Sequence, residues 1–395
     1  MKKLVFSLLL FIILFTLPIN IANAQTEDFE IIDGYLIKYK GSSANVTIPS
    51  TVTEIGRDAF ANNNTIQSVV IPANVKKIGV SAFESCSNLR SVEIKGAEVI
   101  GLFAFVNCGS LNNLILPSTL KEIHARAFMN CYSLTRVDLP ESLDLIGALA
   151  FDETSISSVT IPANVSEIYQ YPFPDTIKLT VTKGSFAEQW ANANNYQIGN
   201  IINAGVILPS SITLSQNKLN MVEGDYTVLR ANLMPSGVTN KGVIWTSSNL
   251  EVAELDNEYS GELHAASAGT AVITARAAGN NNVIATCTVT VTEAKACPSN
   301  GKQVVLPSDL KEIKSSAFEG MDSITKVILP DGVTTIGDNA FADCRCLESI
   351  YIPDSVTYIG DDVFRNARYF RIYCDSYNYV YVYALRNNID VRFNQ

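Results

Sequence analysis

Histidine is almost missing from this chain. His124 and His264 are the only two in 395 residues, and neither falls in HExxH or another metal-ligand spacing. That leaves little of the residue used most often for zinc binding and for proton transfer near neutral pH. There is also no GxSxG elbow, no phosphate-cradling glycine loop and no calcium loop. Cys344-Arg345-Cys346 imitates a redox pair only superficially, because Cys344 belongs to a repeating column described below. Carboxylates that could pair for glycoside hydrolysis sit where strand alternation turns them toward solvent. No catalytic residue, cofactor or metal ligand is expected, and no enzymatic activity.

Positive charge is scarce as well. Lysine and arginine number 29 against 39 acids, a balance that argues against nucleic acid and anionic membranes as partners. Long apolar runs are confined to the start, where Lys2 and Lys3 precede Leu4 to Leu17 and Ala22-Asn23-Ala24 closes the stretch. This pattern predicts a secretory signal peptide over residues 1–24, cleaved between Ala24 and Gln25. Removing Lys2 and Lys3 moves the formal charge from −10 to −12. Gln25 stands where a lipoprotein signal would need cysteine. No later stretch approaches the ~20 apolar residues of a transmembrane segment. The expected location is therefore extracellular, secreted or held at the cell surface. The remaining length exceeds one ordinary core, so two or three domains are expected.

What the sequence has in abundance is a pulse. Ile48, Ile71, Ile94, Leu116, Leu139 and Ile161 recur every 22 or 23 residues, and proline follows all of them but Ile94. A stricter column holds Phe60, Phe83, Phe105, Phe128, Phe151 and Phe173, usually after alanine. After a gap the pulse resumes with Phe318, Phe341 and Phe364 and with Leu306-Pro307, Leu329-Pro330 and Ile352-Pro353. A fixed period of this length predicts a leucine-rich-repeat solenoid, whose coils bury their apolar faces only by stacking. In each coil a short strand such as Val92-Glu93-Ile94 alternates inward and outward residues, and the proline ends its ladder. Cys86, Cys108, Cys131 and Cys344 each lie three residues after a repeat phenylalanine, where other coils carry Asn63, Met321 and Ala367. That column is expected to hold buried thiols rather than bridges, since side chains on one ladder point in parallel. Cys287, Cys297, Cys346 and Cys374 stand outside it, and one disulfide among them is compatible with the sequence.

The columns LRSVEIKGAEVIGLFAFVNC and LTRVDLPESLDLIGALAF resemble the BspA-type leucine-rich repeats of bacterial surface proteins. Residues 34–41 look like the hairpin that opens such blocks, and residues 183–190 like the helical segment that closes them. The turn glycine of the pattern, present as Gly56, Gly79, Gly101 and Gly147, is replaced by His124, Tyr169 and Lys314. Between the blocks phenylalanine vanishes and short alternating strands appear, as in Ala271-Val272-Ile273-Thr274-Ala275, predicting a β-sandwich. Gly224, Trp245-Thr246-Ser247-Ser248-Asn249, Gly269-Thr270-Ala271 and Cys287-Thr288-Val289-Thr290-Val291 resemble the bacterial immunoglobulin-like group 2 domain, with Trp245 read as its core aromatic. The expected fold is mostly β. A first repeat block with caps spans 25–202, an immunoglobulin-like sandwich 203–295, and a second block with a tyrosine-rich cap 296–395. No opening hairpin precedes Val304, so the sandwich is expected to cover that first coil.

With chemistry absent, surface remains. Strand alternation turns Thr47, Val70, Glu93, Ile115, Asp138 and Thr160 outward in the first block, and Ile328 and Tyr351 in the second. Apolar members such as Val70, Ile115 and Ile328 suggest a contact face, or simply β-branched pairing within the sheet. Tyr377, Tyr379, Tyr381 and Tyr383 form either an aromatic recognition patch or the cap of the last coil. A non-enzymatic, monomeric binding protein is expected, and the resemblance implies that it adheres to host matrix or cell-surface proteins or glycans. A self-associating structural component and a carbohydrate-binding module are the alternatives.

Overall fold

The computed structural model describes residues 27–294, 297, 301–367, 369–376 and 378–394. The expected signal peptide and Tyr377 lie outside them. The first block is a stack of coils tied by two parallel ladders. One runs Asn45–Thr47, Ser68–Ile71, Ser91–Ile94 and Asn113–Ile115. The other starts at an antiparallel hairpin, Phe29–Ile32 with Tyr35–Tyr39, and continues through Glu54–Ile55, Lys77–Ile78, Val99–Ile100, Glu122–Ile123, Leu145–Ile146 and Glu167–Ile168. The prolines turn the chain from one ladder to the next: the carbonyls of Pro49, Pro72 and Pro117 accept from the backbone N–H of Val52, Val75 and Leu120.

The phenylalanine column is a stack of rings. Successive centroids from Phe60 to Phe173 lie 4.5, 4.9, 5.2, 5.2 and 5.6 Å apart with planes within 13°. The first block buries every ring to 1% exposure or less. Alanine precedes the ring because that position faces the next coil, and Ala59, Ala82, Ala104, Ala127 and Ala150 are fully buried. The thiols occupy the column as expected. Cys86, Cys108, Cys131 and Cys344 are buried and unbridged, and each donates to the carbonyl of a phenylalanine one coil back, at 3.0–3.3 Å.

The turn glycines are explained by space rather than by torsion. Gly56, Gly79, Gly101 and Gly147 do not take positive φ; the residues two positions further on, Asp58, Ser81, Phe103 and Leu149, do, as does Arg126 after His124. A Cβ on Gly79 would sit 2.6 Å from the carbonyl oxygen of Ile55 in the preceding coil. Close approach of stacked backbones is what favours glycine here.

The second block repeats the plan in strands Lys302–Val305, Ile324–Ile328, Ser349–Tyr351, Arg371–Cys374 and Asp390–Phe393. Each block ends in a capping helix. Phe186–Ala193 buries Phe186, Ala187, Trp190 and Ala191, with the Ser185 hydroxyl accepting from the N–H of Glu188; Tyr379–Arg386 buries Val380, Val382 and Ala384. Between the blocks a four-stranded sheet (Lys218–Val222, Ile284–Thr292, Gly269–Ala277, Val243–Ser247) packs with shorter ones around Trp245 and Cys287.

The modules touch one another in sequence and then across it. Phe186 meets Tyr259 edge-on at 5.5 Å, and Asn240 donates to Gln189, joining the first block to the sandwich. Arg345 pairs with Asp225 at 3.1 Å, joining the sandwich to the second block, and within that block a disulfide joins Cys297 to Cys346 with Cα atoms 5.4 Å apart. Arg386 of the last helix reaches the opening hairpin of the first block, 353 residues back in the chain. The three modules thus close into a ring. Among the described residues, the first coil of the second block stays largely exposed, where the sequence led us to expect the sandwich to cover it. The sandwich meets the second block at the turn around Arg345, one coil further on, through the pair of Arg345 with the buried Asp225.

Candidate functional site

Strand register decides which outward residues are neighbours. In the first block Thr47, Val70, Glu93 and Ile115 lie side by side. Glu93, paired with Lys95 at 3.5 Å, therefore interrupts the apolar row between Val70 and Ile115, which is 49% exposed. The adjacent column is polar and satisfied within itself: Ser68 bonds Asn45 at 2.6 Å and Asn113 bonds Ser91 at 2.9 Å. Residues 134–139 form no paired strand, so Asp138 stands in a break in the ladder, bound to Arg136 at 3.0 Å. The ladder resumes at Ser158–Thr160, where Thr160 is exposed. The first-block face is thus polar and divided.

The second block differs. Its outward row runs Val305, Ile328, Tyr351, Tyr373 in parallel register. A hollow of ≈ 520 Å³ opens over it, lined by Lys326, Ile328, Asp331, Ser349, Tyr351 and Tyr373 among others. The Tyr351 hydroxyl donates to Asp375 at 2.5 Å. Burial first, then the carboxylates of Asp375, Asp331 and Asp354, raise its pKa, so it remains a protonated donor throughout the physiological range. Lys326, Asp331 and Ser349 were not among the residues singled out from sequence, and Tyr373 stood out only as part of the tyrosine-rich end. Tyr373 lies one repeat after Tyr351, so the period could have found it; Asp331 and Asp375 come from turns, where the column pattern says nothing.

The tyrosine-rich end divides by burial. Tyr379, Tyr381 and Tyr383 are half-buried against the second core, so they serve as cap. Tyr379 accepts from the N–H of Ile359, Tyr381 stacks on Phe393 at 5.7 Å, and burial pushes the Tyr383 hydroxyl up to about 12. The fully exposed tyrosine is Tyr369. The histidines sit in separate modules: His124 bonds Glu122 at 2.9 Å, while His264 bonds Glu254 and stacks on Tyr226 at 4.4 Å. Among the described residues no group of three His, Cys, Asp or Glu side chains is placed to hold a metal ion, and no helix is long and apolar enough to cross a membrane.

Stacked coils, ring columns and an inserted sandwich define a leucine-rich-repeat solenoid protein. The chain belongs to the family described as BspA type leucine rich repeat region, which matches residues 30–101, 53–180, 98–216 and 295–391. A bacterial Ig-like domain (group 2) matches residues 210–296. An uncharacterised protein of Clostridium acetobutylicum is 30% identical over 144 residues, covering 36% of this chain; the chain spans 14% of that relative's length. Among solved structures, a Treponema pallidum leucine rich repeat protein is 24% identical, covering 45% of this chain and 98% of its own, at a TM-score of 0.35. A leucine rich cell surface protein of Faecalibacterium prausnitzii is 20% identical, covering 91% and 90%, at a TM-score of 0.30.

Proposed function

We propose that this is an exported, non-enzymatic binding protein that adheres to host matrix or cell-surface proteins through the sheet face of its second block. The observation that carries this reading is the hollow over Ile328, Tyr351 and Tyr373. It combines apolar and aromatic floor with both signs of charge at its edge, the composition favoured at recognition surfaces. The polar, self-bonded face of the first block supports a scaffolding role for that module. The expected location, outside the cell or on its surface, follows from the sequence pattern of the N-terminus.

The test is binding of the chain from residue 25 onward to immobilised matrix proteins. It is repeated with Ile328→Asp and Tyr373→Ala together, and with Val70→Asp and Ile115→Asp together. Loss in the first pair with retention in the second supports this face. Retention in both, with unchanged melting, sinks it. A glycan ligand is the second reading, favoured by two neighbouring tyrosines beside Ser349 and Asp331. A glycan array separates it from the first.

A further inference from the structure

Of the four ends that two solenoid blocks possess, three are closed. The hairpin Phe29–Ile32 with Tyr35–Tyr39 covers the start of the first block, where the Tyr39 ring continues the phenylalanine stack 5.0 Å from Phe60. The helices Phe186–Ala193 and Tyr379–Arg386 cover the two C-terminal ends. The fourth end, the first coil of the second block, is bare. Val304, Leu306, Leu310 and Phe318 are only partly buried, whereas their equivalents one repeat later, Val327, Leu329, Val333 and Phe341, are fully buried. Met321 is 44% exposed in the column where Cys344 is buried.

The backbone carries the same information. Between coils, N–H groups of the earlier coil donate to the later one, as Ser316 to Asp338, Phe318 to Ala340 and Gly320 to Ala342. The equivalent carbonyls of Ser315, Ala317 and Glu319 meet no donor among the described residues. The N–H groups of Lys311 and Lys314 likewise meet no acceptor there, although their counterparts Thr334 and Gly337 do. The strand Lys302–Val305 is also the outer edge of its sheet. An exposed strand edge beside a partly open core is a template for pairing with another chain.

We propose that this end is the dimer interface, occupied by the same end of a second copy. The other ends of a neighbouring molecule are closed, so the complementary bare surface is this one, and an isologous two-fold contact presents it to itself. The contact covers the open coil with its own copy, with Lys302–Val305 meeting its mate antiparallel where the ladders within the block are parallel. The rim carries both signs of charge, with exposed Lys302, Lys311 and Lys314 beside exposed Asp309 and Glu312. A patch that faces its own copy needs such a mixture to avoid like-charge repulsion. This dimer departs from the monomer expected from sequence and leaves the hollow at Tyr351 and Tyr373 free for a ligand.

The experiment is light scattering of the chain from residue 25 onward over about 1 to 100 μM, a range that reads micromolar dissociation constants. The expected mass is twice that of one chain at the upper concentrations. Met321→Lys should weaken association at least about tenfold while melting like the parent. Gln303→Cys should be captured as a covalent dimer by a short bis-maleimide. A single-chain mass at every concentration overturns the proposal. So does a dimer that Met321→Lys leaves intact and that the cysteine variant does not capture, because association would then use another surface.

Discussion

Replacing Arg386 by alanine removes one of two contacts that close the ring, the other being Arg57 to Asn388. The Arg386 guanidinium donates to the Asp33 carbonyl at 2.8 Å and to the Asp33 carboxylate at 3.2 Å, lies 3.4 Å from Glu54, and sits 5.6 Å above the Tyr35 ring. Solvent reaches these groups unevenly, with 29% of the Arg386 side chain, 18% of Glu54 and 57% of Asp33 exposed. The Asp33 ion pair therefore counts as a surface pair, worth about 0.5 kcal/mol. The better-buried hydrogen bond and the Glu54 pair contribute about 1–2 kcal/mol together, and the stacked cation about 0.5 kcal/mol. The sum, about 2–3 kcal/mol, shifts the closed-to-open ratio by about thirty- to a hundred-and-fifty-fold. Small-angle scattering should show a larger radius of gyration for Arg386→Ala, an intermediate value for Arg386→Lys, which keeps charge but loses the fork, and expansion of the parent at high salt. The bond from Arg57 to Asn388 remains in the variant, so opening should be partial at low salt. If Arg386→Ala scatters like the parent, and a double-mutant cycle with Glu54→Ala shows no coupling, Arg386 does not hold the ring.

Phe105→Ala, in the middle of the ring stack and fully buried, should cost about 3–5 kcal/mol in denaturant unfolding. Phe318→Ala, at the bare end, should cost markedly less, and equal losses would contradict the solenoid-end assignment. Cys346→Ser opens a loop of 49 residues and should destabilise the second block by about 2–4 kcal/mol, leaving the first block's transition in place; calorimetry reads both. Burial, with Asp144 nearby, pushes the Glu167 carboxyl up to about 7. The unfolded chain releases that proton near the ordinary carboxylate value, so in between the folded state binds more protons and stability falls as pH rises. Glu167→Gln should flatten the melting temperature between pH 5 and 7, and an unchanged slope would locate the effect elsewhere.

The coil plan was readable because each column repeats one physical demand. Phenylalanine marks the ring stack, alanine the close approach before it, proline the end of a strand, and cysteine a small buried position. Trp245 was readable for the same reason, as a large apolar residue among alternating strands. Other features arise from single contacts that no period announces. Cys297 and Cys346 belong to no column, so the period does not pair them. Arg386 and Asp33 are ordinary surface residues until the chain brings them together. Strand alternation places Thr47, Val70, Glu93 and Ile115 side by side, yet register showed Glu93 splitting Val70 from Ile115, and Asp138 falls in a break that alternation does not reveal. The missing hairpin before Val304 was legible; what stands in its place was not, since exposure depends on where Asp225 and Arg345 anchor the sandwich.

The thiol column bears on how the chain would fare in an oxidising environment. Burial pushes Cys131 up to about 12 and Cys344 up to about 11, so once coiled they present almost no thiolate to attack a disulfide or an oxidant. Before coiling, those same sulfurs are ordinary reactive thiols able to capture Cys297 or Cys346. Correct pairing therefore requires the stack to assemble ahead of oxidation, and the Cys297–Cys346 bond becomes a chemical timestamp. Its appearance during refolding marks the moment when the remaining sulfurs have been withdrawn from exchange.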